Sequence, residues 1–318
     1  MRIVFCFVAL LSVLSHARGQ AGGRMPVNGR MNAGGRVRIS GQVRALADER
    51  MIPVGQLRIH CMVSGHGAPL LFLHAGFQDL HMWDAQETFF SKNYRVVRID
   101  LPGHGHTEGV DTTLEVADVI RIVMDSLHIG KAAVVGLSLG AGCATELVLA
   151  YPERVSKLIL VSPGLSGWSE VMQADSLSMY LFKKIDSIRR TESREVMAEF
   201  FTKMWCDGPY RSSSKVDPAA RDYIYRTTLQ NKMNDAAFPK FHQPGAATRL
   251  KEIKCPVLII RGDKDLPFIT GAMNWYKHEL PDAQLVDFHD VAHMLNLEKP
   301  VEFNKVLKEW LVRGKPSS

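Results

Sequence analysis

The sequence predicts an α/β protein, with a mainly parallel central sheet flanked by helices and a helical insertion over one end. Three observations carry this. Short apolar runs of strand length, such as "PLLFLH" and "VSKLILV", alternate with helix-period segments, and runs of that kind suit strands buried on both faces of a parallel sheet. Residues 164–250 show no convincing strand pattern yet hold eleven of the 26 aromatic residues, too much apolar surface for an open loop. One apolar run also ends in Gly136-Leu137-Ser138-Leu139-Gly140, directly before a segment of small residues with helical character.

At the N-terminus, Met1-Arg2, the apolar stretch 3–14 and Ser15-His16-Ala17 form the positive, apolar and small-x-small regions of a signal peptide over 1–17, which implies export to a secreted or periplasmic location. A buried N-terminal helix or strand is the competing reading. The stretch of twelve residues is about half of what a helix needs to cross a bilayer, so no integral membrane segment is expected once the signal is removed. Residues 18–50 mix glycine, arginine and small polar residues without a period of 2 or 3.6 and read as a flexible arm; within it "VRISGQVRA", 37–45, alternates weakly, as an edge strand would. The formal charge of +6 resides here, since residues 1–50 carry eight arginines against Asp48 and Glu49 while 51–318 balance to zero. A neutral body has no general footprint for a polyanion, so no nucleic-acid partner is expected. An arginine-arm nucleic-acid binder is the competing reading, and it predicts salt-dependent DNA binding lost on removal of 18–50.

Residues 51–163 and 251–318 form the predicted core. A strand is expected at 56–63, closed by the turn "SGHG"; buried strands follow at 69–74, 95–100, 132–135, 155–161, 256–261 and 283–288. Leu114, Ala117, Val119, Ile120, Val123, Met124 and Leu127 mark one stripe of a helix over 114–127, and a small-residue helix is expected over 139–150. The insertion 164–250 is predicted to be a helical cap. Signal removal leaves Cys61, Cys143, Cys206 and Cys255; three of them fall in core segments, where free cysteine serves as a small hydrophobe, so no structural disulfide is expected. Neither a C-x-x-C pair nor an H-x-x-x-H helix occurs, and no metal is expected.

A G-x-S-x-G between a buried strand and a helix forces the central residue into a tight turn that projects its side chain. Ser138 is the candidate nucleophile. A serine hydroxyl needs a base within hydrogen-bond reach and a carboxylate that fixes the base's tautomer. Candidates for both follow strands, in "RGDKD" (Asp263, Asp265) and "HDVAH" (His289, His293), at the sheet edge where open α/β folds place their crevice.

With these residues the chain resembles serine hydrolases of the α/β-hydrolase fold, of the capped esterase, lactonase and C–C hydrolase kind, over roughly residues 56–310. "LFLHAGFQDLHMWDAQ" resembles the family's H-G-x oxyanion strand end, with Ala75 in place of the first glycine, and "RIDLPGHGHTEG" its D-x-x-G-x-G-x-S loop, with His106-Thr107 where serine often stands. "RGDKD" resembles the G-x-x-D turn, which selects Asp265 over the second choice Asp263; "VAHMLNLEKP" resembles the H-x-x-x-x-E-x-P end, which selects His293. The resemblance implies oxyanion donors at the backbone N–H groups of Phe77 and Leu139, a turn-bracing role for His74, and a loop role for His104.

A serine at the elbow excludes the family's aspartate-dependent dehalogenases and epoxide hydrolases. What the resemblance implies is hydrolysis of a carboxylic ester or lactone through an acyl-enzyme, with a small-molecule acyl substrate as partner and no cofactor. C–C bond hydrolysis, perhydrolysis or acyl transfer on the same triad, and a non-catalytic ligand-binding protein of this fold, are the alternatives. Gly140-Ala141 departs from the paired glycines usual in the C–C hydrolases. Phe77 and Trp83, near the oxyanion loop, are the expected substrate contacts; the cap's aromatics and methionines serve either an apolar chamber or cap packing. Neither oligomeric state nor natural substrate is legible.

Overall fold

The computed structural model describes residues 47–168, 175–231, 237–238 and 240–312, together with the backbone at 38–39 and 42–43. The predicted signal peptide and most of the arm lie outside the described residues. Where an edge strand was expected at 37–45, β1 (Arg38–Ile39) and β2 (Gln42–Val43) pair antiparallel with each other and not with the main sheet. The weak alternation at 37–45 is thus not an edge strand of the main sheet.

The main sheet begins with β3 (Asp48–Val54) and β4 (Leu57–Ser64), an antiparallel pair in which Arg50 lies opposite Cys61. Residues 48–50, read from sequence as the end of the arm, therefore belong to β3. β3 is an edge strand: Ile52 and Val54 point inward while Pro53, with no N–H to donate, faces out. β5 (Ala68–Leu73), α1 (Asp84–Phe90), β6 (Tyr94–Ile99), α2 (Val116–Ser126), β7 (Ala132–Leu137), α3 (Leu139–Ala150) and β8 (Val155–Val161) follow. β7 is buried at every position and α3 on nearly all sides, as expected of a central strand and of a helix covered by both sheet and cap. α2 buries the stripe Val116, Val119, Ile120 and Val123.

Among the described residues the cap segment holds three α-helices, α4 (Ser176–Thr191), α5 (Arg194–Thr202) and α6 (Pro218–Gln230), each begun by a side chain that accepts a first-turn N–H: Asp175, Ser193 and Asp217. A π-helical segment, Lys203–Asp207, continues α5. The chain then returns to the sheet as β9 (Val257–Gly262), α7 (Pro267–Glu279), β10 (Gln284–Phe288), α8 (Leu295–Glu298) and α9 (Pro300–Val312).

Strand order in the eight-stranded sheet is β10-β9-β8-β7-β5-β6-β4-β3; the pairs from β6 to β10 are parallel, and only β4, antiparallel to both β6 and β3, runs against the rest. This is an α/β-hydrolase fold. Because β7, β8, β9 and β10 are parallel neighbours, everything that follows their last residues emerges on one edge. Among the described residues Cys61, Cys143, Cys206 and Cys255 are free thiols, and burial raises those of Cys61 and Cys255 to about 11. No described helix is long and apolar enough to cross a membrane.

Candidate active site

Ser138 follows β7 with φ +54° and ψ −111°, a strained conformation for a residue with a Cβ. Its backbone is held from both sides: its N–H donates to Val161 O at 2.9 Å, and its carbonyl accepts from Ala141 N and Gly164 N at 3.0 Å. The flanking glycines answer to close approach. A Cβ on Gly136 would stand 2.2 Å from Gly140 O, and one on Gly140 would stand 2.2 Å from Leu73 O, so the crossing of β7, α3 and β5 leaves no room for a methyl group.

Asp265 sits in the turn after β9 and His293 in the loop after β10. Their side chains meet: His293 Nδ1 lies 2.8 Å from Asp265 Oδ2, while Asp265 Oδ1 accepts from Leu266 N at 2.7 Å. A carboxylate only accepts, so Nδ1 carries the hydrogen and Nε2 keeps its lone pair. Ser138, Asp265 and His293 are 4%, 3% and 1% exposed, a buried set on one sheet edge. No hydrogen bond joins Ser138 Oγ to His293 among the described residues. Asp263 has a different role: it accepts from Asp290 N at 2.7 Å and lies 3.5 Å from the exposed His289, bracing the turn that leads to His293.

His74 is committed to structure. Nδ1 donates to Ala75 O at 2.7 Å and Nε2 accepts from Leu101 N at 2.8 Å, which uses both nitrogens of the neutral ring. Burial lowers its pKa. His104 also bonds backbone, Nδ1 to Pro102 O at 3.1 Å, with Nε2 buried and unpartnered; burial pulls its pKa to about 3. Phe77 follows Gly76, whose Cβ position is 3.8 Å from the Leu139 side chain, so the oxyanion loop faces the start of α3. Phe77 has φ +64°, and Leu139 opens α3, where first-turn N–H groups have no intrahelical acceptor.

Trp83 requires a correction. The 3₁₀ turn Leu80–Trp83 rotates it into the core, fully buried, with its ring 5.0 Å from Phe72 and 6.0 Å from Phe303. Its ring neighbours lie on β5 and α9 rather than on the cap, so the structure places it in the packing of the core and not, as expected, along the cap-facing wall.

The cap supplies what the sequence left undivided between chamber and packing. Phe77 lies tilted against Phe201 of α5 at 4.5 Å between ring centroids, Phe201 lies 6.2 Å from Trp205, and Trp205 lies 4.3 Å from the His293 ring. Trp205 O also accepts from His293 N at 3.3 Å. Two cap aromatics thus bridge the oxyanion loop and the imidazole. α6 and its end hold the same loop through Asn231 Nδ2 to Gln78 O at 2.8 Å and Tyr223 OH to Asp79 Oδ1 at 3.1 Å.

Comparison with known proteins agrees with this architecture. The chain is 28% identical over 282 residues, 81% of its length and 92% of the relative's, to a 2-hydroxy-6-oxononadienedioate/2-hydroxy-6-oxononatrienedioate hydrolase of Burkholderia vietnamiensis. It is 28% identical over 251 residues, 77% of its length and 96% of the relative's, to a pimeloyl-[acyl-carrier protein] methyl ester esterase of Nitrosomonas europaea. Among solved structures, an enol-lactonase from Burkholderia xenovorans shares the fold with a TM-score of 0.66 at 22% identity, over 81% of this chain and 97% of that one. The sequence profile of the alpha/beta hydrolase fold matches residues 68–300. The chain belongs to the α/β-hydrolase fold family.

Proposed function

We propose that the protein hydrolyses carboxylic esters or lactones of small acyl substrates through an acyl-enzyme on Ser138. The observation that carries this reading is the buried Asp265–His293 pair on the sheet edge that also presents the strained Ser138 elbow. With Nδ1–H held by Asp265, His293 Nε2 takes the Ser138 proton as Oγ attacks the carbonyl carbon. That contact closes when substrate occupies the site; catalytic hydrogen bonds are often long before it arrives. The N–H groups of Phe77 and Leu139 stabilise the oxyanion, His293 returns the proton to the leaving alcohol, and a water activated by the same nitrogen releases the acid. Phe77, Phe201 and Trp205 form the apolar wall against the acyl group.

The curated relatives include a C–C hydrolase and a methyl ester esterase, and the same machinery serves either bond. Ester cleavage is favoured here because the wall between loop and imidazole is aromatic and apolar, suited to a neutral acyl chain. The test is hydrolysis of p-nitrophenyl acetate and butyrate, beside a vinylogous diketone acid as C–C substrate. Turnover of the esters is expected to fall by about 10⁴-fold or more in Ser138→Ala, with loss of fluorophosphonate labelling. Equal ester turnover in that variant rejects the nucleophile assignment, and turnover of the diketone acid alone rejects the ester reading.

A further inference from the structure

On the β3 side of the sheet, three elements converge on a cluster that the proposed hydrolysis does not use. Glu49 of β3 lies opposite Met62 in the β3–β4 ladder, so His60, two residues along β4, stands on the same face. His106 comes from the loop after β6. One side-chain donor atom from each of Glu49, His60 and His106 lies within 4.8 Å of the other two. His60 Nε2 is already 3.0 Å from Glu49 Oε1, and the His60 and His106 ring centroids are 5.1 Å apart.

The second shell is what sets this cluster apart from a surface ion pair. His60 is buried, and its Nδ1 lies 2.7 Å from Oδ2 of the buried Asp100. Asp100 is itself fixed, with Oδ1 accepting from Leu80 N at 2.7 Å and Oδ2 accepting from His106 N at 2.9 Å. A carboxylate on one imidazole nitrogen fixes the tautomer and aims the other nitrogen outward, the arrangement that orients histidine ligands in metal sites. Glu49 and His106 are exposed, leaving one side open to water. An ion-paired His60 between two carboxylates accounts for Asp100 and Glu49 but not for the second imidazole.

We propose that Glu49, His60 Nε2 and one ring nitrogen of His106 bind a divalent transition metal, zinc being the ion that this donor set fits best, with water as fourth ligand. Two imidazoles and a carboxylate suit zinc, whereas calcium and magnesium demand oxygen donors. Tetrahedral bonds of about 2.0–2.1 Å place ligand atoms roughly 3.4 Å apart, a contraction that the exposed Glu49 and His106 side chains reach by rotation. The metal replaces the proton His60 shares with Glu49. It would pin the first strand of the main sheet to the loop after β6, a structural role separate from Ser138 chemistry.

The test uses the full chain, stripped by a chelator and titrated with ZnCl₂ against a micromolar-affinity colorimetric competitor, and separately with CoCl₂. One zinc per chain is expected, with a rise in melting temperature. Affinity is expected to fall at least tenfold in both His106→Ala and Glu49→Gln, exposed substitutions that leave the fold intact by circular dichroism. Cobalt is expected to give the intense visible bands of a low-coordinate ion, lost in His106→Ala. Failure to take zinc from the competitor, or wild-type affinity in either folded variant, overturns the site; neither outcome bears on ester hydrolysis.

Discussion

At the scale of single residues, the two nitrogens of each buried histidine decide its role. His74 spends both on backbone groups, so it cannot serve as a base; His293 spends one on Asp265 and, in the proposed reaction, keeps the other for the Ser138 proton. Asp265→Asn would donate where a hydrogen must be accepted and turn the imidazole to the wrong tautomer, and kcat for ester hydrolysis is expected to fall about 10⁴-fold with little change in stability. His104 gives a prediction for pH. Burial lowers its pKa from 6.5 to about 3, so the unfolded chain takes up a proton that the folded one refuses. The stability contributed by keeping it neutral is complete above pH 6.5 and is lost as pH falls toward 3, by about 1.4 kcal/mol per pH unit at most. Urea melts across that window are expected to show a shallower acid decline in His104→Gln than in the wild type. The direction of Trp83 was not legible, because closeness to the Phe77 loop along the chain says nothing of where a 3₁₀ turn aims a ring. Phe201 and Trp205 were equally hidden: a cap aromatic that packs and one that faces a catalytic imidazole have the same composition.

At the scale of elements, the β7–α3 crossing is a joint without spare room. Gly140→Ala would force a methyl group into Leu73 O and His74 O, and separation of α3 from β5 is expected to cost several kcal/mol, read as loss of the cooperative thermal transition. The cap and the His293 loop are joined by Arg211, which pairs at 2.9 Å through two nitrogens with Glu298 and also donates to the carbonyls of Cys206, Asp207 and Asp290. Both side chains of the pair are buried. Arg211→Leu leaves a buried carboxylate without its countercharge and is expected to lower stability by about 3–5 kcal/mol, part of which the double variant with Glu298→Leu restores; chemical denaturation of the three proteins measures it. Strands with continuous apolar runs were legible because burial on both faces leaves no polar position to confuse the pattern. β3 was not, since an edge strand that turns only Ile52 and Val54 inward looks polar in sequence.

At the scale of the whole molecule, the chemistry depends on parallel order. Residues 138, 265 and 293 are distant in the chain, yet each follows a strand of one parallel set, and only the sheet's topology makes them neighbours. The order of the motifs was readable and so was the edge they occupy; the cap's three-helix division and its grip on the oxyanion loop were not, because such contacts depend on tertiary docking. The aromatic path from Phe77 through Phe201 and Trp205 to His293 has an optical consequence. An imidazole packed on an indole perturbs its emission, so Trp205, one of five tryptophans in the chain, is a built-in fluorophore whose emission is expected to change when the ring it covers is replaced in His293→Ala.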